Sequence, residues 1–188
     1  MLAMNKMNKF YLLIFIPVIL LAISCKSGKE KKSQIASIDS LKVKLDQMDL
    51  KLHEITIHDV NKRFNEYKKT MNSVIQEVKA EVDTLSGVYL MAYARVRMPF
   101  KAFIKSLPRL QHDVDSTKNR LNGLINDVQK NQVKKDKYEE YFKQESYFVN
   151  KLDYNVNKYV DECKAQMISF DTLDPKIQEI IEKYKGKK

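Results

Sequence analysis

Tryptophan is absent from this 188-residue chain, and glycine and proline occur four times each. So few turn formers exclude collagen-like and Gly/Ser low-complexity classes, and they argue against an all-β domain with a breaker every ten residues or so. Two cysteines are too few for a disulfide scaffold or a cysteine-based zinc module. Three histidines, His53, His58 and His112, form no i, i+4 metal pair, and HExxH, CxxC, GxSxG and phosphate-cradling Gly-rich patterns are all missing. Glu139-Glu140 and Glu179/Glu182 are carboxylate pairs on the surfaces of expected helices, where adjacent acids are ordinarily solvated. The expectation is a protein that is not an enzyme and that holds no metal or cofactor.

What the chain does have is charge and apolar periodicity. Lys and Arg outnumber Asp and Glu by 34 to 24, a formal net charge of +10. Such an excess points to an anionic partner or surface and says nothing of the fold. At 188 residues there is material for one domain with a real core.

The N-terminus has three parts. Lys6 and Lys9 precede an uncharged run, Phe10–Ile23, and the small residue Ser24 stands before Cys25. The run has 14 residues and contains Pro17, whereas a spanning helix needs about 20. A basic start, a short apolar stretch and a small final residue make a secretory signal peptide. In its last five residues, Leu21-Ala22-Ile23-Ser24-Cys25, the leader resembles the bacterial lipoprotein class, whose signals end in a lipobox. Ala22 stands where that class prefers Leu, with Leu21 one place further back. The resemblance implies a signal peptide over 1–24, cleavage before Cys25, and lipidation of Cys25 by a diacylglycerol thioether with an acylated (palmitate-type) amino terminus. It implies a lipid-anchored protein of the bacterial cell envelope. Lys26 occupies the place where Asp favours inner-membrane retention, so the outer membrane is favoured. The other reading of these residues is an ordinary signal or short anchor with a chance cysteine. Residues 25–33 read as the lipidated cysteine and a flexible basic tether.

Residues 34–188 read as a single all-α domain. Apolar residues at 35, 38, 41, 45, 48, 52 and 55 follow heptad a/d steps, and Ser33 is placed to cap them. The pattern slips over 54–59, where Thr56 and Asp59 can cap a new helix or the helix can run through as a stutter, and resumes from Val60 through Tyr67 to Leu85. Gly87 suggests an end or a kink. A second seam runs from Val114 through Thr117 to Val128. A third, rich in aromatics, runs through Tyr138, Tyr141/Phe142, Phe148/Val149, Leu152, Val156 and Tyr159/Val160 to Cys163 and Met167. Asp174-Pro175 reads as an N-cap and first helical residue of a short C-terminal helix. The expectation is an elongated antiparallel helical bundle or coiled-coil hairpin. Its parts are a first long arm over 34–87, a basic amphipathic crossover over 88–111, a returning arm over 112–168 and a short helix over 174–185. The same seams could also join chains into an oligomer.

Residues 88–110 are unusual. No Asp or Glu stands between Asp83 and Asp113, and Arg95, Arg97, Lys101, Lys105 and Arg109 fall in that interval. Together with Phe100 and Phe103 these five form the candidate interaction surface, for anionic lipid, an acidic envelope protein or a polymer. The competing reading makes the segment a packed connection with a solvated basic side. Nucleic acid would be a partner only if the leader were no secretion signal. The functional expectation is a non-enzymatic membrane-anchored envelope lipoprotein, a helical binding or scaffolding module. The alternative is a peripheral membrane-contact protein whose 88–110 segment binds anionic lipid.

Overall fold

The computed structural model describes the backbone of residues 7–79 and 81–187, and the side chains of 28–79 and 81–187. The described residues form five helices: α1 (Met7–Leu52), α2 (Ile57–Glu77), α3 (Thr84–Ala94), α4 (Arg97–Gln129) and α5 (Lys135–Tyr184). They form three arms, up, down and up again. The first arm is α1 and α2, the second is α3 and α4, and α5 is the third.

Cross-arm contacts give the register. Moving up α1 and α2, Gln34 O accepts from Tyr138 Oη, Lys44 reaches Asn150, Lys51 pairs with Asp161, Arg63 with Asp171, and Thr70 bonds Asp174. Position rises in both arms together, so α5 runs parallel to the first arm. The middle arm runs the other way: Lys31 reaches Gln129 O, while Lys118 pairs with Asp46 and Asp49. A helix of 50 residues makes α5 about 75 Å long. It packs against all four other helices.

Heptad seams build the core. In α4 the buried residues Phe100, Phe103, Leu107, Leu110, Val114, Thr117, Leu121, Leu124 and Val128 alternate steps of three and four. That spacing keeps one stripe turned to the partner helices. Thr117 is tolerated in the seam because its hydroxyl donates to Asp113 O at 2.7 Å. In α1 the expected seam is buried from Ile38 to Leu52.

Junctions follow local chemistry. Thr56 caps α2: its Oγ1 accepts from Asp59 N at 3.1 Å and its hydroxyl donates to the Asp59 carboxylate at 2.7 Å. Buried Ile55 and Val60 flank this cap in the positions of a hydrophobic staple. Asp83 caps α3 by accepting from Ser86 N at 3.0 Å. Between α4 and α5 the chain reverses through Asn131, whose φ of 54° is a left-handed conformation that Asn tolerates.

Several boundaries differ from the sequence expectation. Residues 88–111 are no crossover; they are most of α3 and the first half of α4, packed as the middle arm. Pro108 lies inside α4 and Pro175 inside α5, so neither 99–108, which Pro99 could open and Pro108 close, nor 174–185 is a separate short helix. Both prolines are exposed. Each releases the carbonyl four residues earlier on the solvent side, where water replaces the lost bond, while Leu107, Leu110, Phe170 and Ile177 hold the seam buried. Residues 28–33 continue α1 instead of forming a loose tether: Glu30 pairs with Lys135 at 3.1 Å. Ser33 therefore lies within a helix, as does Gly87. The residues expected to form a signal peptide (1–24), Cys25 and Lys26 lie outside the described side chains.

Candidate interaction surface

The five basic residues of the candidate surface are all exposed. Arg97, Lys101, Lys105 and Arg109, each four apart on α4, form a row that advances roughly 120° around the helix from first to last. Arg97 lies on the α2 side, where its charge acts on Tyr67. Arg109 lies on the α5 side. None of the five forms an ion pair among the described residues. The lower half of the same helix contrasts with this: Lys118 is held by Asp46 and Asp49, and Arg120 binds Glu145 through two nitrogens at 2.7 and 3.0 Å. The acid-free interval thus leaves a row of cations without partners.

Phe100 and Phe103 do not belong to this surface. Both are 0% exposed, and Phe100 packs edge-on to Phe64 and against Phe170. They sit on the seam, opposite the row of cations.

Two shallow grooves between α4 and α5 adjoin the row. One, about 330 Å³, is lined by Arg109, Asp113, Arg120, Phe148, Lys151 and Asn155 among others. The next, about 320 Å³, lies between Lys105, Ser106, Arg109 and Tyr159. Arg120 stands over the Phe148 ring at 5.5 Å. Of the third seam's pairs Tyr141/Phe142 and Phe148/Val149, Tyr141 and Phe148 are exposed, Val149 takes the core position and Phe142 packs half-buried against the core.

A polar cluster joins the three arms higher up. Asp174 accepts from Thr70 Oγ1 at 3.0 Å and from the hydroxyl of fully buried Tyr93, and Gln178 donates to Thr70 Oγ1 at 2.9 Å. Burial and then the Asp174 carboxylate push the Tyr93 hydroxyl far above its ordinary range. Asp174 is therefore a bridge between arms and not an N-cap. Nearer the tip, the Asp83 carboxylate takes Lys183 and the Tyr184 hydroxyl as well as Ser86, and these partners hold it well below the usual carboxylate range.

Among the described residues no group of three or more His, Cys, Asp or Glu is placed to hold a metal ion. His53, just past the end of α1, has its Nδ1 2.7 Å from Asp49 O of that helix, and His112 faces Ser116. Cys163 is a free thiol at 0% exposure, and burial pushes its pKa up to about 12. No described helix is long and apolar enough to cross a membrane.

Sequence reasoning missed the outer face of α3. Leu85, Val88 and Met91 are exposed there, and Met98 follows at the start of α4. Leu85 was expected in the first seam; it points outward because the chain has already reversed at Asp83. The signal was present in Thr84–Ala94, which is apolar on every side.

Compared with protein-family models, curated proteins and solved structures, the chain matches none.

Proposed function

We propose that this chain is a membrane-anchored lipoprotein of the bacterial envelope, favoured at the outer membrane, and that its helical bundle is a non-enzymatic binding or scaffolding module. One observation carries the reading. The seams are committed to a rod about 75 Å long, and the unspent chemistry is Arg95 and the row of four cations on α4, none of them in an ion pair among the described residues. Long parallel and antiparallel arms locked by cross-arm pairs such as Arg63–Asp171 suit a spacer that holds a surface away from its attachment. The lipobox-like residues Leu21–Cys25 support lipid anchoring at the end of the rod where Glu30 meets Lys135. Acylation there would make attachment stable, since two or three chains bind where one is marginal. The partner of the basic row is an envelope protein, a polymer or an anionic surface.

The test is the intact mass of the detergent-extracted protein beside its Cys25→Ser variant. A chain beginning at Cys25 with added acyl mass, both lost in the variant, is the expected result. An uncleaved, unmodified chain overturns the lipoprotein reading.

A further inference from the structure

The outer face of α3 is apolar and uncovered. Leu85, Val88 and Met91 stand three apart, so they form one stripe along the helix, and they are 62%, 51% and 62% exposed. Arg95 extends the stripe by four residues, and Arg97 and Lys101 follow on α4. On its α5 side the stripe meets a groove lined by Lys176, Glu179 and Lys183 as well as Asp83, Leu85 and Tyr89. Lys176 stands over the Tyr89 ring at 4.6 Å, and Lys183 is bound to Asp83. Glu179 is thus the one acid of that groove not already held by a lysine.

We propose that this face docks on an anionic phospholipid bilayer, with Leu85, Val88 and Met91 entering the acyl boundary and Arg95, Arg97, Lys101, Lys105 and Arg109 meeting the phosphates. Charge selects the occupant. A second copy would bring Arg95, Arg97 and Lys101 against their equals with no acid between Asp83 and Asp113 to pair them. A bilayer with anionic headgroups offers negative charge and, between and beneath the headgroups, hydrocarbon, so a helical arm lying along it meets both with one face. The stripe packs beside Lys176, some 40 residues of α5 from Lys135, so it lies about 60 Å along the rod from the Glu30–Lys135 end. The proposal names the partner of the surface described under the proposed function. It needs a membrane but no acyl group on Cys25, so the mass experiment and the one below fail separately.

The chain has no tryptophan, so Val88→Trp places a single reporter on the stripe, and Leu50→Trp, on the exposed side of α1, serves as the control. Full-length protein is reconstituted into vesicles of phosphatidylcholine alone or mixed with phosphatidylglycerol, with brominated acyl chains as quencher. Circular dichroism checks that each variant keeps its helices. In the phosphatidylglycerol vesicles the position-88 emission should shift to the blue and be quenched several-fold more than in phosphatidylcholine. The Leu50→Trp emission should not change. Replacing the five basic residues by Gln, or raising the salt, should abolish the shift. Solvent-like emission in phosphatidylglycerol vesicles overturns the proposal. Equal quenching in both lipids, or quenching that survives the Gln replacements, refutes the role given to the cations.

Discussion

Replacing Phe103 by Ala decides whether the aromatic residues of the basic segment are ligands or core. Phe103 is 0% exposed, on the seam of the middle arm. Deleting a fully buried Phe ring costs about 3–5 kcal/mol, from lost transfer energy plus the cavity left behind. A domain of this size has about 5–15 kcal/mol in all, and each kcal/mol moves the melting temperature by about 2–4 °C. Phe103→Ala should therefore melt roughly 10 °C below the parent, followed by far-UV circular dichroism in detergent. Lys101→Gln, two residues away on the solvent side, should stay within about 0.5 kcal/mol. Both variants are needed, because a general weakness of α4 would lower both. If Phe103→Ala melts within about 1 kcal/mol of the parent, or Lys101→Gln falls as far, the assignment of inner and outer faces is wrong.

Two further outcomes follow from the titratable groups. The Asp83 carboxylate is depressed by Lys183, the Ser86 amide and Tyr184, so its contribution is present above the unfolded carboxylate pKa, about 3.9. That contribution is lost as pH falls through the lower folded value. Asp83→Asn should flatten the acid limb of the stability–pH curve measured by denaturant titration; an acid limb as steep as the parent's would refute the assignment. For Cys163, whose pKa is pushed up to about 12 by burial, a thiol reagent at neutral pH should label the native protein at least a hundredfold more slowly than the denatured chain. Comparable rates would place the thiol at the surface.

The seams of α1 and of the second half of α4, from Val114 to Val128, were legible because their solvent sides are written in Lys, Asp, Asn and Gln, which leaves the three-four rhythm unambiguous. The third seam was harder to read. Phe148 and Val149 both suit a core position, and which of them faces α4 depends on the helix's phase against its neighbours, which a single helix does not carry. The prolines misled for a physical reason. Their backbone cost is fixed, but it is offset by seam residues on both sides, and the balance depends on Pro108 and Pro175 both facing water. The polar run 28–33 reads as a tether until Lys135 and Gln129, a hundred residues away, supply its partners. The five cations were found from sequence, because the absence of acid between 83 and 113 is a property of the string itself. That they stay unpaired across the fold was not readable there, since α1, α2 and α5 could each have supplied an acid, as Asp46, Asp49 and Glu145 do for Lys118 and Arg120.

The reversal at Asp83 explains why an apolar face and a basic row come together. Had the first arm run on through residue 87 as one helix, Leu85 would have continued its seam and been buried. The first arm instead ends at Glu77, and Asp83 begins the second: it caps α3 and is itself held by Lys183 and Tyr184 at the end of α5. α3 then starts down the bundle beside α5, burying Ser86 and Tyr93. Because its sequence is apolar on every side, burying one side leaves Leu85, Val88 and Met91 in water, at a cost that folding does not recover. A polar outer face would fold as well and dissolve better. The apolar one lies next to the longest acid-free interval of the middle arm, so the two features that the fold does not require occupy one surface at one end of the rod.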